Sequence, residues 1–162
     1  MIIGLQIAAL LLLTVAMSLS LAHALEYPGK LRLDREHYVA VQTIYYPGFT
    51  YAGFAEPLAV IVLVVLLPTI PVGSARFWLI AGALVAATLT HALYWWRTAP
   101  VNKVWLGHEE LSPAAERFFR RDLQANTDAD WHRLRARWEH SHILRAVTSG
   151  VSFLLVLAAV LL

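Results

Sequence analysis

Hydrophobic residues of this chain are concentrated in four long runs that polar segments separate. The runs cover residues 2–25, 48–70, 77–96 and 146–162 and are 24, 23, 20 and 17 residues long. A helix that crosses the hydrocarbon core of a bilayer needs about 20 apolar residues, within a range of about 17 to 25. Glu56 is the only formally charged residue inside the runs. The pattern predicts an all-α fold: an integral membrane four-helix bundle.

The whole chain is predicted to form a single domain of four transmembrane helices. Their spans are expected at about 2–25, 48–70, 77–96 and 143–162, with short cytoplasmic interfacial helices in the segments between them. The composition agrees, since 59% of the 162 residues are hydrophobic, 15% are charged and the mean hydropathy is +0.58. A soluble domain has about 25% charged residues, so an ordinary soluble enzyme is excluded. The chain has no cysteine, which excludes disulfides and thiolate metal ligands.

The N-terminal run also has a feature of secretory signal peptides. Residues 22–24, Ala-His-Ala, resemble the small-residue site at which such a peptide is cleaved. No positive charge precedes the run, and it is longer than the hydrophobic part of a typical signal peptide. We therefore interpret this segment as the first transmembrane helix.

The distribution of lysine and arginine predicts the orientation. Twelve of these residues lie in or beside the segments that join helices one and two and helices three and four, whereas the connection between helices two and three has only Arg76. Basic loops remain in the cytoplasm. We expect the larger loops to be cytoplasmic and both termini extracytoplasmic, in a bacterial-type inner membrane. The basic residues would then face membrane lipid headgroups, and no nucleic-acid partner is expected.

The larger loops contain signals for further helices. Asp34 is an N-cap residue before a segment with helical spacing of apolar residues, which predicts a short interfacial helix within 34–46. Residues 113–125 predict a second short helix with Ser112 as its cap. A third helix, capped by Thr127, is expected to continue without a break into the fourth span.

Ionisable residues are concentrated at the cytoplasmic ends of the four spans. They are His23 and Glu26 on helix one, Glu56 on helix two, His91 on helix three and His142 on helix four. The topology places all of these ends in the same half of the bundle. Ionisable groups within a bilayer usually face the bundle interior and mark functional sites. The pattern therefore predicts a polar cavity that opens on the cytoplasmic side only.

Each of these residues also has a purely structural interpretation. Pro57 would free the carbonyl of Gly53, and a protonated Glu56 could bond such a carbonyl on a neighbouring helix. His91 could serve only as an interhelical hydrogen-bond residue, and Arg145 could extend to the membrane surface. Four further histidines in polar segments are expected to be solvated: His37, His108, His132 and His140.

Several short motifs resemble those of the anthrone-oxygenase-like family, which consists of small four-helix membrane proteins and is largely a domain of unknown function. The motifs are His-Ala-Leu-Glu-Tyr-Pro-Gly-Lys at 23–30, Tyr38 with Gln42, Pro-Val-Asn at 100–102, and Trp-x-x-Leu-Arg-x-x-Trp-Glu-x-Ser-His at 131–142. The resemblance spans nearly the whole chain; at His140 the family usually has tyrosine. The fungal members that give the family its name resemble oxygenases that act on polycyclic phenols without a recognised cofactor. Most bacterial relatives have no assigned reaction, so the resemblance implies an oxygenase-like protein but no particular substrate.

One hypothesis is an oxidoreductase site for an apolar phenolic or quinone-like molecule that enters from the lipid. His142, Glu26 and Glu56 would be the catalytic residues and would exchange protons with the molecule. Five residues would bind the substrate as flat walls or hydrogen-bonding partners: Tyr94, Asn102, Arg135, Trp138 and His91.

The cofactor remains open on the sequence alone. His23, Glu26, Glu56 and His142 form a two-histidine, two-carboxylate set of the kind that binds iron or copper. A haem between two of His23, His91 and His142 is a further alternative, as is no cofactor. In the second functional hypothesis the protein is a non-catalytic bundle that binds a lipid or a partner membrane protein, with the polar residues fixing helix register. Oligomerisation is left open in both.

Overall fold

The computed structural model describes residues 2–105 and 128–162, and these ranges contain helices and no strand. The α-helices are α1 (Ile2–Lys30), α2 (Arg35–Gln42), α3 (Gly48–Ala52), α4 (Ala55–Leu66), α5 (Ala75–Leu93), α6 (Ala99–Trp105) and α7 (Asp128–Leu161). Short 3₁₀ turns cover Thr43–Tyr45 and Leu67–Thr69, and a π-helical turn covers Tyr94–Thr98. The predicted all-α bundle is confirmed.

Within the described ranges, four segments are long and apolar enough to cross a membrane. They are Ile2–Lys30, Gly48–Thr69, Ala75–Asn102 and Asp130–Leu161, with mean hydropathies of 2.4, 2.1, 1.6 and 2.1. The chain is an integral membrane protein. Helix α1 continues past the predicted end at residue 25. The additional residues, 26–30, form a polar turn that follows the apolar run.

The second span is interrupted near its beginning. Helix α3 ends at Ala52, and α4 starts at Ala55, so Pro57 lies in the first turn of α4, where its missing N–H is tolerated. The carbonyl of Gly53 accepts a hydrogen bond from Glu56 N at 3.1 Å. The expectation that Pro57 frees this carbonyl is therefore wrong. The tight turn directs the Glu56 side chain into the bundle.

The half of the bundle remote from the polar loops has an apolar core with many small residues. Its fully or nearly fully buried members include Ala9, Leu13, Ala59, Leu63, Ile80, Ala83, Ala87, Val156 and Ala159. Small side chains allow helix backbones to approach closely in membranes. The close approach of α5 and α7 is visible where Ser152 Oγ donates a hydrogen bond to the Ala83 carbonyl at 2.8 Å.

Helix α2 closes the other end of the bundle. The Asp34 carboxylate caps it by accepting hydrogen bonds from His37 N at 2.9 Å and His37 Nδ1 at 2.8 Å, so the predicted capped helix is confirmed. These bonds hold the pKa of Asp34 below its usual value and raise the pKa of His37. Tyr38 anchors the helix, with its buried ring 5.1 Å from the Trp131 ring.

Part of the second large loop lies outside the described residues. This applies to the predicted helix at 113–125, to Ser112 and Thr127 as caps, and to His108. The expectation that the last helix continues into the fourth span is confirmed, since α7 is unbroken from Asp128 to Leu161. Three histidines expected to be solvated are exposed: His37, His132 and His140.

The close α5–α7 contact gives a first prediction. Ala83→Leu should destabilise the bundle by about 1–3 kcal/mol, because Ala83 is 0% exposed and added methyl groups must push the helices apart. Val85→Leu on the same helix is the control, because Val85 is 68% exposed and faces outward. Unfolding in mixed detergent micelles measures both. Equal stability of the two variants would contradict the packing described for this half.

Candidate functional site

The buried ionisable side chains of the described residues lie in the half of the bundle that includes the end of α1 and the beginning of α4. Two groups of side chains meet there. We call Glu56, His91 and Arg145 the charge cluster. We call His23, Tyr45, Phe49, Trp138 and His142 the ring cluster. Each cluster contains residues from at least three separate parts of the chain.

The charge cluster joins α4, α5 and α7. Arg145 NH2 lies 2.6 Å from Glu56 Oε2, and His91 Nδ1 lies 3.1 Å from Glu56 Oε1. Trp95 Nε1 donates to His91 Nε2 at 3.0 Å, so the proton of His91 is on Nδ1, which donates to Glu56. His91 is thus the interhelical hydrogen-bond residue that one interpretation expected.

Arg145 does not extend to the membrane surface, and that expectation is wrong. Its side chain is buried against Glu56, which is 5% exposed, and its guanidinium lies 5.1 Å from the centre of the Tyr94 ring. Among the described residues, Glu56 has Arg145 and His91 as partners, and not a backbone carbonyl. Burying one ion is costly, and a paired and hydrogen-bonded set reduces that cost.

The ring cluster surrounds His23 near the end of α1. The centre of the His23 ring lies 4.4 Å from Tyr45, 5.1 Å from Phe49, 4.8 Å from Trp138 and 4.4 Å from His142. The Trp138 and His142 rings are 4.0 Å apart. Most of these pairs are edge-to-face, which is the favourable arrangement of aromatic rings.

A pair of charged residues borders the ring cluster. Lys30 Nζ lies 2.8 Å from Glu26 Oε2 and faces the Tyr45 and Trp138 rings at 4.7 and 4.8 Å. The Tyr45 hydroxyl donates a hydrogen bond to the same carboxylate oxygen. Lys30 is only 4% exposed, whereas the Glu26 side chain is 40% exposed. Burial and the Glu26 carboxylate raise the pKa of Tyr45, so Tyr45 remains a neutral phenol.

His142 connects the two clusters. Its Nδ1 lies 3.0 Å from the Trp138 carbonyl, which can only accept, so Nδ1 carries the proton. Its Nε2 then accepts from Arg145 NH1, which lies 3.4 Å away. Because the His142 ring also contacts His23, one set of contacts leads from Glu56 to Glu26.

A further buried layer lies between the ring cluster and α2. Tyr38 donates a hydrogen bond to Glu139 Oε1 at 2.6 Å, and both side chains are fully buried. Burial and the nearby Glu139 raise the pKa of Tyr38.

Two hydrogen bonds join α6 and the turn before it to α7. Trp138 Nε1 donates to Asn102 Oδ1 at 2.8 Å. The π-helical turn before α6 also places Thr98 against Ser141, with 2.9 Å between their hydroxyl oxygens; such turns are frequent at functional sites.

The structure brings most of the predicted site residues together, but in two groups. His23, Trp138 and His142 pack against one another in the ring cluster, Glu26 borders that cluster, and Asn102 holds the Trp138 indole. Glu56 and His91 belong to the charge cluster, and the Tyr94 ring packs against its Arg145 guanidinium. Arg135 lies apart from both, because its guanidinium is 5.5 Å from the Trp131 ring and approaches the Leu33 carbonyl at 3.5 Å. The catalytic and binding roles of these residues stay predictions.

A metal site finds no support in this geometry. In ranges 2–105 and 128–162, no group of three or more His, Asp or Glu side chains could hold a metal ion. Lys30 is paired with Glu26 and Arg145 with Glu56, so cations of the protein itself already neutralise both carboxylates of the proposed set. The hypotheses of bound iron, copper or haem stay predictions.

Lys30, which borders the ring cluster, and Tyr45, which belongs to it, were not among the predicted site residues. Lys30 follows Glu26 by four positions, a spacing at which opposite charges pair on one helix face, and this signal could have identified it. Tyr45 lies 19 residues from Glu26, and no local pattern in the sequence relates the two.

Comparison with known proteins adds no assignment. No protein-family model, curated protein or solved structure matches the chain. The arrangement of the described side chains is therefore the basis for the function proposed below.

The charge cluster gives a second prediction. Arg145→Met should destabilise the bundle by about 3–5 kcal/mol, because it leaves Glu56 buried without its cation. Glu56→Met combined with Arg145→Met should recover most of that loss, since neither charge then remains. Arg133→Met is the control, because the Arg133–Asp130 pair is exposed. Unfolding in mixed micelles measures the stability of these variants. If Arg145→Met destabilised the bundle no more than Arg133→Met does, the Glu56–Arg145 pair would be unimportant for stability.

Proposed function

We propose that this membrane protein binds an apolar, planar molecule with a phenolic or quinone-type oxygen at the ring cluster. The placement of Tyr45 is the observation that carries the proposal. Its hydroxyl donates to Glu26, its ring lies against the Lys30 ammonium and its edge meets the His23 imidazole. A site that accommodates the protein's own phenol in this way is complementary to other phenols.

The proposed site suits oxidation of a bound phenol. The raised pKa of Tyr45 indicates that a phenol here is bound in its neutral form, with Glu26 as hydrogen-bond acceptor. Loss of an electron makes a phenol strongly acidic, and its proton would then pass along the existing bond to the Glu26 carboxylate. The resemblance to the anthrone-oxygenase-like family favours dioxygen as the electron acceptor.

Access to the site supports a ligand from the membrane. The Glu26 side chain is partly exposed, and it lies where α1 leaves the apolar run, close to the expected lipid headgroups. An amphipathic phenol would place its apolar body in the lipid and its oxygen at this depth.

A non-catalytic bundle is the second candidate function, and a specific observation favours it. The charge cluster joins three spans through hydrogen bonds between its own members, as a device that fixes helix register would do. In that case the ring cluster binds a lipid or a partner membrane protein without chemistry. Binding of a phenol without oxidation under dioxygen would favour this candidate.

The third prediction concerns binding of 4-methylphenol, which is the side chain of tyrosine as a free molecule. The purified protein should bind it saturably in equilibrium dialysis against empty micelles, whereas toluene, which lacks the hydroxyl, should bind far more weakly. In the Tyr45→Phe background, where the Tyr45 hydroxyl no longer occupies the carboxylate, Glu26→Gln should weaken binding of 4-methylphenol about tenfold, because a hydrogen bond to a charged acceptor becomes one to a neutral amide.

Glu36→Gln is the matched control for this experiment, since Glu36 is an exposed carboxylate on α2. It should leave the affinity unchanged. Equal affinity for 4-methylphenol and toluene, or equal effects of the Glu26 and Glu36 substitutions, would contradict the proposed site.

The fourth prediction concerns orientation. We propose that the larger loops face the cytoplasm and that Leu162 lies on the extracytoplasmic side, because twelve lysines and arginines flank one side of the spans and one flanks the other. An alkaline phosphatase fused after Leu162, which is active only outside the cytoplasm, should be active in a bacterial host. If instead a reporter that is active only in the cytoplasm is active at the same position, Leu162 is cytoplasmic and the proposed orientation is wrong.

A further inference from the structure

We infer that Tyr45 occupies the position of the ligand's phenol, and that a phenolic ligand binds by displacing the Tyr45 side chain. Tyr45 is thus a built-in competitor that sets the affinity and selectivity of the site. The inference rests on the proposed function, because it assumes that a phenol binds at Glu26. It goes further by stating what must leave when the ligand enters.

The contacts of Tyr45 are those that a bound phenol would need. Its hydroxyl donates to Glu26 Oε2, and the Glu26 side chain is the partly exposed end of the site. Its ring lies 4.7 Å from Lys30 Nζ, 4.4 Å from the His23 ring and 5.0 Å from the Phe49 ring. Tyr45 and Lys30 already contact Glu26 Oε2, and a ligand ring cannot take the place of the Tyr45 ring while that ring is there, so the two phenols exclude one another at this position.

The local backbone permits this displacement. Tyr45 is the last residue of a three-residue 3₁₀ turn, and Tyr46 after it is extended. Neighbouring Thr43 and Ile44 are exposed, so the turn is not anchored in the core. Segments with few buried contacts open at low free energy. Displacement of Tyr45 therefore leaves the spans in place.

Tyr38 shows the contrasting arrangement. Like the half-buried Tyr45, it is a phenol that donates to a carboxylate, here Glu139, but it lies within the regular helix α2 and is fully buried. Moving Tyr38 would detach α2 from the bundle. Of these two phenols, Tyr45 is the one whose position a ligand can take.

The consequence for affinity is opposite to that of an ordinary binding residue. If only a fraction of the molecules have the Tyr45 side chain displaced and can bind the ligand, the apparent dissociation constant is raised by the inverse of that fraction. Removing the Tyr45 hydroxyl removes the bond that favours the form in which Tyr45 occupies the site. Substitution of Tyr45 should therefore tighten ligand binding.

The experiment measures the dissociation constant of 4-methylphenol for the wild type, Tyr45→Phe and Tyr45→Leu, in the full chain in detergent. A hydrogen bond to a charged group is strong enough that its removal should lower the constant about tenfold or more in Tyr45→Phe. Tyr45→Leu should tighten binding at least as much. Tyr51→Phe is the control, because Tyr51 is 68% exposed, and its constant should equal that of the wild type.

Each other outcome has a distinct meaning. Unchanged binding in Tyr45→Phe, with weaker binding in Glu26→Gln, would overturn the displacement but retain the proposed site. Weaker binding in Tyr45→Phe would make Tyr45 a wall of the site and would also overturn the displacement. Absence of 4-methylphenol binding to every form would overturn both proposals.

A second measurement tests the displacement without substituting Tyr45, so it does not require that a Tyr45 variant folds. The wild-type chain carrying 3-fluorotyrosine at position 45 should show a fluorine NMR signal that moves toward the solvent-exposed value as 4-methylphenol is added. The same label at position 38 should not respond. A position-45 signal that stays unchanged at saturating 4-methylphenol would overturn the displacement.

Discussion

The ion pair between Glu56 and Arg145 is the constraint on which the polar half of this bundle depends. An unpaired acidic side chain at the centre of a membrane helix is unfavourable by about 3 kcal/mol or more. Glu56 is on α4, and its two partners come from α5 and α7, so satisfying one carboxylate fixes three helices relative to each other. Arg145 in turn contacts His142, whose ring meets His23 on α1. The charged pair thereby positions side chains from all four spans.

The two halves of the bundle are stabilised by different interactions. In the remote half, small residues such as Ala59 and Ala83 allow close helix packing, and the core side chains are apolar, with a hydrogen bond of Ser152 to the Ala83 carbonyl beside them. In the polar half, hydrogen bonds and ion pairs have fixed geometry and tolerate little sliding. The directional half is also the half with chemically reactive groups, and the site proposed for a phenol lies there.

How well the sequence predicted each feature depends on how far apart along the chain the interacting residues lie. Hydropathy predicted four spans, and the Asp34 cap predicted α2, because these features depend on neighbouring residues. Topology predicted that His23, Glu56 and His142 share one half of the bundle. The burial of Arg145 was not predicted, because an arginine near a helix end reaches the surface unless a partner on another helix holds it. The bond between Tyr38 and Glu139 joins residues 101 positions apart and follows only from the packed structure.

Isotope-edited infrared spectroscopy of the folded protein in lipid tests the ion pair most directly. The wild type and Glu56→Gln, each labelled with ¹³C at the glutamate side chains, would be compared as a difference spectrum. If Arg145 holds Glu56 as a carboxylate, the substitution should remove intensity only from the ionised carboxylate bands. Loss of intensity from the carbonyl band of a protonated carboxylic acid would show that Glu56 is neutral in the membrane. The charged pair could then not be the interaction that organises the polar half.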